Sequence, residues 1–331
     1  MNVLSLFDGM SCGQLALQRA GIKYDKYFAS EIDKYAISVT QHNFPNTIHL
    51  GDVTKVRGED LPKIDLLIGG SPCQGFSIAG KHLNFADPRS KLFFEFVRLK
   101  NELTPKYFLL ENVKMKKEWQ DIISKYLGCP PVFINSSEFS PQNRQRLYWT
   151  NIPFVLNHKK NTQILNDILE ENVDEKYYSK KYTVNDIKFC ERLTRNNLTL
   201  GYVGLDRKRK SQDNVIFNQA KKSLCLRIKC DGYLCNIKQV GYISNKNSQG
   251  NRVYNTENKS ISLTALGGGS GAKTGLYIED NRIRKLTPIE CERLQTVPDN
   301  YSAICSDTQR YKMLGNGWTV NVIAHIFKNL K

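Results

Sequence analysis

Short apolar runs alternate with helical patterns over residues 1–150. Four of the runs are apolar enough to be strands buried in a sheet; they are Val3–Phe7, Tyr27–Glu31, Ile64–Ile68 and Tyr107–Leu110. Four other stretches have helical patterns; they are Gln14–Ala20, Lys34–His42, Lys91–Glu102 and Glu118–Tyr126. This alternation predicts an α/β fold, with a Rossmann-like, mostly parallel sheet and helices on both of its faces.

The alternation stops near residue 151, and the chain as far as residue 283 is irregular, polar and β-leaning. Residues 151–283 hold 22 Lys and Arg against 13 Asp and Glu, so they supply +9 of the chain's net charge of +16. We therefore expect two domains. A discontinuous α/β domain comprises residues 1–150 and 284–331, and a small, irregular, β-rich domain comprises residues 151–283.

Helical sequence returns after residue 283. The segment Arg284–Leu294 carries the signals of a capped helix, with Thr287 as N-cap, Pro288 at the first helical position and Glu290 three residues after the cap. A final helix is predicted from Val320 to Leu330.

The composition favours a nucleic-acid partner. The chain has 331 residues, 40% of them hydrophobic, which is enough for a large core, and its net charge of +16 is strong enough to attract a polyanion. A basic protein of the membrane surface is the alternative, but the sequence has no amphipathic basic helix and no apolar run of transmembrane length. The N-terminus runs directly into a strand without a basic signal-peptide region, so the expected compartment is the cytosol.

Two apparent motifs are discounted. The nine cysteines are scattered, which favours free thiols, and the even spacing of Cys225, Cys230 and Cys235 lacks the close pairs of a zinc site. No metal site is therefore expected.

The segment Gly267–Thr274 nearly matches a phosphate-binding loop, but Ala272 replaces the glycine before the lysine. The following sequence predicts a strand rather than a helix, so the loop would lack a helix N-terminus. Both features argue against nucleoside triphosphate hydrolysis.

Candidate chemistry lies at the carboxyl ends of the predicted strands, where open α/β sheets build their ligand sites. Cys73 follows Ile64–Ile68 in a Gly/Pro turn, a position that presents a nucleophile. Phe7–Gly13 follows the first strand and opens a helix, as a cofactor-binding turn does, and Glu31 ends the second strand at the spacing of a ribose ligand. Asp52 follows a third strand and could accept from an adenine amino group, or could simply cap a turn.

Further motifs, taken in order, resemble those of the cytosine-C5 DNA methyltransferases. The resemblance covers residues 2 to about 150 and about 284 to 326, and the first motif is most similar to the animal de novo branch, although the chain is as compact as a bacterial or phage enzyme. Besides the Gly turn, the motifs are Ser71-Pro72-Cys73-Gln74, Glu111-Asn112-Val113, Gln142-Asn143-Arg144-Gln145-Arg146, the helix that starts with Leu286-Thr287-Pro288, and Leu314-Gly315-Asn316-Gly317-Trp318-Thr319-Val320.

The resemblance implies a covalent mechanism. The Cys73 thiolate would add to C6 of a cytosine flipped out of the duplex, and C5 would then take the methyl group of S-adenosylmethionine. Glu111 in its protonated form would bond N3, and Arg144 would stabilise O2 and the intermediate, with Arg146 completing the catalytic set. Loss of the C5 proton and release of Cys73 would restore the ring.

The resemblance also implies the binding residues. Phe7 would stack on the adenine, Glu31 would hold the ribose and Asp52 the adenine amine. The cofactor set is Phe7, Asp8, Gly9, Cys12, Glu31, Ile32, Asp52, Val53, Pro72 and Asn316. The expected DNA contacts are Gln74, Ser77, Arg207, Lys208, Arg209, Lys210 and Lys273. Ser11 and Cys12 replace glycines that most members of the family carry, and Gly317 replaces a serine.

Two other functions share this sequence pattern. A transfer-RNA cytosine-C5 methyltransferase would typically carry a Cys-Phe-Thr tripeptide in its recognition region, and the chain has none. A catalytically inactive DNA-binding paralogue is disfavoured by the intact Cys73, Glu111, Arg144 and Arg146. We therefore expect a monomeric DNA (cytosine-5-)-methyltransferase that acts on double-stranded DNA, with residues 151–283 as its target-recognition domain and a cognate restriction endonuclease as a separate protein where one accompanies it.

Overall fold

The computed structural model describes residues 1–71, 88–156, 161–189, 239–243, 249–265, 270–271 and 273–330. Within these residues a seven-stranded sheet has the order β3-β2-β1-β4-β5-β7-β6. Its strands are β1 (Asn2–Leu6), β2 (Lys26–Ser30), β3 (Ile48–His49), β4 (Leu66–Gly69), β5 (Tyr107–Val113), β6 (Val132–Asn135) and β7 (Gln145–Thr150). Strands β1 to β5 pair in parallel, and β7 is antiparallel to both of its neighbours.

The structure confirms the four strands predicted before residue 150, to within two or three residues at each end. It also adds the pair β6 and β7, for which no strand was predicted. All strands from β1 to β5 run the same way, so their carboxyl ends share one edge of the sheet. That edge also holds the start of β7, because β7 runs in the opposite direction.

Helices cover both faces of the sheet, which confirms the predicted fold class. They are α1 (Cys12–Ala20), α2 (Lys34–Asn43), α3 (Pro88–Leu103), α4 (Lys117–Leu127), α5 (Pro288–Leu294), α6 (Asp307–Asn316) and α7 (Val320–Phe327). One core cluster joins α1, α2 and the C-terminal helices to the sheet, and a second joins α3 and α4 to the opposite face. No helix among the described residues is long and apolar enough to cross a membrane.

The predicted capping of α5 is confirmed. The Thr287 side chain accepts from the backbone N–H of Glu290, and the Glu290 carboxylate accepts from the backbone N–H of Thr287, with Pro288 at the first position. Glu290 is fully buried and also binds the guanidinium of Arg284 at 2.8 Å. Helix α5 is thereby tied to the strand that precedes it.

The C-terminal segment completes the core beside the start of the chain. Helix α7 packs on α1 in the first core cluster, and a Cβ built on Gly317 would lie 3.4 Å from Met10 Cε and 3.5 Å from Cys12 Sγ. The Tyr301 hydroxyl donates to the Met10 carbonyl at 2.7 Å. The turn after β1 is therefore built from both ends of the sequence.

A second sheet lies between residues 188 and 284. Its order is β12-β11-β10-β9-β8, with β8 (Lys188–Phe189), β9 (Gln239–Tyr242), β10 (Arg252–Asn255), β11 (Leu276–Glu279) and β12 (Arg282–Arg284). It has its own apolar cluster, which includes Val184, Val240, Val253 and Ile283. Strand β11 confirms that a strand rather than a helix follows the glycine-rich segment at 267–275.

Candidate active site

A carboxylate and a guanidinium meet at the carboxyl-terminal part of β5. Register pairs Glu111 of β5 with Tyr148 of β7, and Val113 with Arg146. Positions two residues apart point to the same face of a sheet, so the side chains of Glu111 and Arg146 are diagonal neighbours. Arg146 Nε lies 2.8 Å from Glu111 Oε1, and the two side chains are only 15% and 10% exposed. The pair forms a charged group inside the edge of the sheet.

Trp318 supplies the second contact of Glu111. Its indole Nε1 donates to Glu111 Oε2 at 3.2 Å. Gly70, directly after β4, lies against both groups, because a Cβ built on it would be 2.9 Å from Trp318 Nε1 and 3.2 Å from Glu111 Oε2. A residue without a side chain is required for this close approach. One oxygen of Glu111 therefore accepts a hydrogen bond from Trp318, and the other lies in the ion pair with Arg146.

Arg144 holds a turn of the C-terminal segment. Its side chain is 2% exposed. Nη1 donates to the Leu263 carbonyl at 3.1 Å, and Nη2 donates to the carbonyls of Gly315 and Gly317 at 3.1 and 2.9 Å. These carbonyls flank Asn316, so Arg144 fixes the backbone on both sides of a residue expected at the cofactor. The expected contact of Arg144 with the base stays a prediction.

Asn112 connects β5 to the segment that carries the predicted nucleophile. Its Nδ2 donates to Ser71 Oγ at 3.2 Å, and its Oδ1 accepts from the backbone N–H of Val113 at 2.8 Å. Ser71 is the last described residue before Cys73, which lies outside the described residues. The Glu-Asn-Val tripeptide thus fixes the point from which that segment starts.

The turn after β1 has an unusual backbone. Phe7, Gly9 and Ser11 have φ angles of 57°, 60° and 61°, and the left-handed conformation at two non-glycine residues costs about 1–3 kcal/mol each. Phe7 is half-buried against the second core cluster. A Cβ built on Gly9 would meet nothing within 4 Å, so this side of the turn is open. Strained backbone beside open space is typical of a ligand site.

Glu31 is anchored at this turn. Its carboxylate accepts from the backbone N–H groups of Gly9, Ile32 and Asp33 at 2.8, 2.7 and 2.8 Å. A carboxylate has about four acceptor sites, so one remains on Oε2 for a hydroxyl group. The Ile32 side chain is 76% exposed, an apolar surface beside this acceptor. The open turn, the remaining acceptor and the apolar side chain fit a nucleoside-bearing cofactor such as S-adenosylmethionine.

Asp8 lies inside the turn rather than in its open side. Its Oδ1 accepts from the Tyr27 hydroxyl at 2.8 Å, whereas Oδ2 is buried without a hydrogen bond. Burial raises the pKa of Asp8 from its ordinary 3.8 to about 6, and the nearby charge of Glu31 adds to this shift. The carboxyl group is therefore a buried acid, and the cofactor role expected for Asp8 would fall to its backbone.

Asp52 caps a turn, as the simpler interpretation of the sequence holds. Its Oδ1 accepts from the backbone N–H and the hydroxyl of Thr54 at 3.0 and 2.9 Å, and the backbone bond is the main reason why the pKa of Asp52 is lowered. Oδ2 has neither of these bonds, so the cap does not occupy the oxygen that an adenine amine would need. Val53 is 5% exposed and packs in the second core cluster.

Cys12 and Asn316 lie on opposite sides of the same junction. Cys12 is 4% exposed, and burial raises the pKa of its thiol to about 12, so it is an unreactive core side chain at the start of α1. Asn316 is the exposed last residue of α6. The amide group of Asn316 is therefore accessible to a ligand, whereas the thiol of Cys12 is buried.

The predicted DNA contacts are mostly beyond the described residues. Lys273 is described, and its Nζ donates to the Thr308 carbonyl at 3.4 Å. The other predicted residues outside the described ranges are Pro72, Gln74, Ser77, Arg207, Lys208, Arg209 and Lys210, together with the discounted Cys225, Cys230 and Cys235. In the described part of the chain no group of three or more His, Cys, Asp and Glu side chains could hold a metal ion.

Sequence reasoning missed the roles of three residues. Trp318 and Asn112 belong to motifs that were recognised, but neither was given a function, and Gly70 was noted only as part of a turn. A tryptophan after Gly-Asn-Gly, in a segment otherwise made of small and polar residues, is the signal that could have identified Trp318.

The chain matches known proteins over its whole length. The family profile described as C-5 cytosine-specific DNA methylase matches residues 1–331. The type II methyltransferase M.HhaI of Haemophilus parahaemolyticus is 31% identical over an alignment that covers 100% of this chain and 94% of that protein. The type II methyltransferase M1.ScrFI of Lactococcus lactis subsp. cremoris is 32% identical and covers 99% of this chain and 77% of that protein.

Solved structures of methyltransferases share the fold. EhMeth of Entamoeba histolytica superimposes with a TM-score of 0.67 at 17% identity, over 100% of this chain and 99% of that chain. Dnmt2 of S. pombe superimposes with a TM-score of 0.63 at 16% identity, over 99% and 97% of the two chains. The arrangement of sheets and helices is therefore that of a methyltransferase.

Proposed function

Because the chain belongs to the C-5 cytosine-specific DNA methylase family, we propose that it transfers a methyl group from S-adenosylmethionine to C5 of a flipped cytosine in a specific sequence of duplex DNA. The observation that carries the proposal is the Glu111–Arg146 pair, 2.8 Å apart at the carboxyl edge of β5. A carboxyl group and a guanidinium at this edge can bind a cytosine ring at N3 and O2. Gly70, three residues before Cys73 in the sequence, lies against Glu111.

Each residue of the chain has a distinct task in this proposal. The Cys73 thiolate adds to C6, which makes C5 electron-rich. N3 of cytosine is an acceptor, so Glu111 must carry a proton to bond it, and Arg146 must then give up Glu111 Oε1 and donate to O2. When bound, S-adenosylmethionine supplies an electrophilic methyl group on a cationic sulfur. A base inside a duplex is out of reach of these groups, so it must be flipped out.

The geometry supports a division of labour between the two arginines. The resemblance implied Arg144 at O2, but the side chain that touches Glu111 is Arg146. Arg144 donates to the carbonyls on both sides of Asn316, so we assign it to positioning the cofactor turn. Asn316, Glu31 and Asp52 would hold the cofactor, with Ile32 and Phe7 against its adenine.

The experiment measures transfer of a tritiated methyl group to plasmid DNA by the complete chain, with bisulfite sequencing of the product to read the target site. Duplex that contains 5-fluorocytosine should trap the wild type as a covalent adduct, and Cys73→Ser should form none while it still binds DNA. An adduct in that variant would refute the nucleophile assignment. Methylation of transfer RNA in place of DNA, or DNA binding without transfer, would favour the two alternative functions.

A further inference from the structure

Charges are unevenly distributed along the carboxyl edge of the large sheet. The first charged residue after each of β1, β2 and β3 is acidic; these residues are Asp8, Glu31 and Asp52. The first three charged residues after β5 are Lys114, Lys116 and Lys117. In the strand order β3-β2-β1-β4-β5 the acids therefore follow three neighbouring strands at one end, and the lysines lie beyond β4. The acidic half is the one to which the cationic cofactor is assigned.

The three lysines are held at the surface by one buried neighbour. Met115 is 3% exposed and packs in the second core cluster, whereas Lys114, Lys116 and Lys117 are exposed. Lys117 forms a salt bridge with Asp121 at 2.7 Å, but the two side chains are 76% and 59% exposed, and such a surface pair is weak. Lys114 Nζ lies 5.6 Å from the centre of the half-exposed Phe133 ring, a contact that does not neutralise its charge. The three charges therefore remain available to an anion in solution.

The position of these lysines does not help the helix that follows. Lys116 is the N-cap of α4 and Lys117 is its first residue, with no side-chain cap. A cation at a helix N-terminus is unfavourable by about 0.3–1 kcal/mol, and only Glu118 in the first turn acts in the opposite sense. Residues that break a local rule without a structural gain are often functional.

We propose that Lys114, Lys116 and Lys117 contact the phosphates of the substrate duplex beside the flipped cytosine. This inference rests on the proposed function. Lys114 follows Glu111 by three residues, about 10 Å along an extended strand. Each DNA strand carries one charge per about 3.4 Å of helix axis, so this distance corresponds to phosphates within about three nucleotides of the one whose base Glu111 would hold. The acidic half of the edge then matches the cationic cofactor, and the basic half matches the polyanionic DNA.

The test compares two triple alanine variants of the complete chain with equal loss of charge. One changes Lys114, Lys116 and Lys117. The control changes three exposed lysines at the opposite, amino edge of the same sheet; these are Lys26, Lys63 and Lys106. Fluorescence anisotropy of a labelled duplex that contains the target site gives the dissociation constant at several NaCl concentrations. A phosphate contact contributes about 0.9 to the slope of log affinity against log salt, so the first variant should lose up to about 2.7 and the control less than about 0.5.

Calorimetric binding of S-adenosylmethionine to both variants checks that they are folded. Should the first variant not fold, single Lys→Gln changes at the three positions should each lower the slope by about 0.9. An equal loss in the variant and the control would mean a general field effect and overturn the contact. An unchanged slope would make the lysines ordinary surface residues, and a wild type that binds no duplex would overturn the proposed function as well.

Discussion

Asp8 lies buried beneath the cofactor turn, and its ionisation should lower the free energy of unfolding as pH rises. Asp8→Asn should remove this pH-dependent loss of stability. Burial raises the pKa of Asp8 to about 6 in the folded chain, against an ordinary 3.8. The folded state therefore holds a proton more tightly than the unfolded chain, and the contribution of Asp8 to stability falls as pH rises from about 3.8 to about 6. Above pH 6 the ionised group is buried with Oδ2 making no hydrogen bond.

The magnitude follows from the two pKa values of Asp8. Their difference corresponds to about 3 kcal/mol of free energy of unfolding, of which about 2 kcal/mol is lost between pH 4.5 and pH 7.5. Asparagine is close in shape, can still accept from the Tyr27 hydroxyl and never ionises. We therefore expect Asp8→Asn to gain about 2 kcal/mol relative to the wild type over this pH interval.

The assay is urea unfolding of the wild type and the variant, without cofactor, at half-unit steps from pH 4.5 to 7.5. Asp52→Asn is the matched control, because hydrogen bonds from Thr54 lower the pKa of Asp52. A lowered pKa contributes stability that is lost only as pH falls below about 3.8, so the control should show almost no change relative to the wild type between pH 4.5 and 7.5. If the difference between Asp8→Asn and the wild type is the same at pH 4.5 and 7.5, the buried acid does not titrate as described.

Three further changes test the site and its supports. Arg144→Lys should weaken S-adenosylmethionine binding to the free enzyme by about tenfold in calorimetry, because it loses bonds to two carbonyls of the cofactor turn. Arg146→Lys should leave that affinity unchanged and slow adduct formation with 5-fluorocytosine DNA by about 100-fold. The reverse pattern in the two assays would exchange the roles of the two arginines. Gly70→Ala should slow single-turnover methylation at least tenfold, because its Cβ would stand 2.9 Å from the indole that binds Glu111, and wild-type rates would contradict that contact. Arg284→Ala should destabilise the chain by about 3–5 kcal/mol in urea unfolding, because it leaves Glu290 buried without its guanidinium, and a loss below about 1 kcal/mol would show that the pair is not needed.

Local signals in the sequence determined the fold class and the family. Apolar runs of strand length that alternate with helical patterns specify a layered α/β sheet, because each element must bury one face against its neighbours. The caps of α5 were readable as well, since Thr287, Pro288 and Glu290 interact within one turn. Motif order pointed to the C-5 cytosine methylase family, because a methylation site needs particular residue types at the ends of particular strands.

Strands β6 and β7 could not be predicted from the sequence in the same way. The segment Gln142–Arg146 matches a family motif, and the short apolar run that follows it has no clear period. Whether such a run forms a strand depends on the partner that pairs with it. Only the antiparallel pairing of β7 with β5 decides that Arg146, rather than Arg144, lies diagonally beside Glu111.

The remaining site geometry also came from the tertiary structure. Trp318 and Glu111 are 207 residues apart in sequence, and Arg144 and Gly317 are 173 residues apart. Sequence spacing carries no information on contacts of this range, which depend on α7 packing against α1 and on the room that Gly70 leaves. The same holds for Asp8, which the resemblance placed among the cofactor residues. Its carboxyl group is buried against Tyr27 and has a raised pKa, because side-chain direction is fixed by packing and not by the motif.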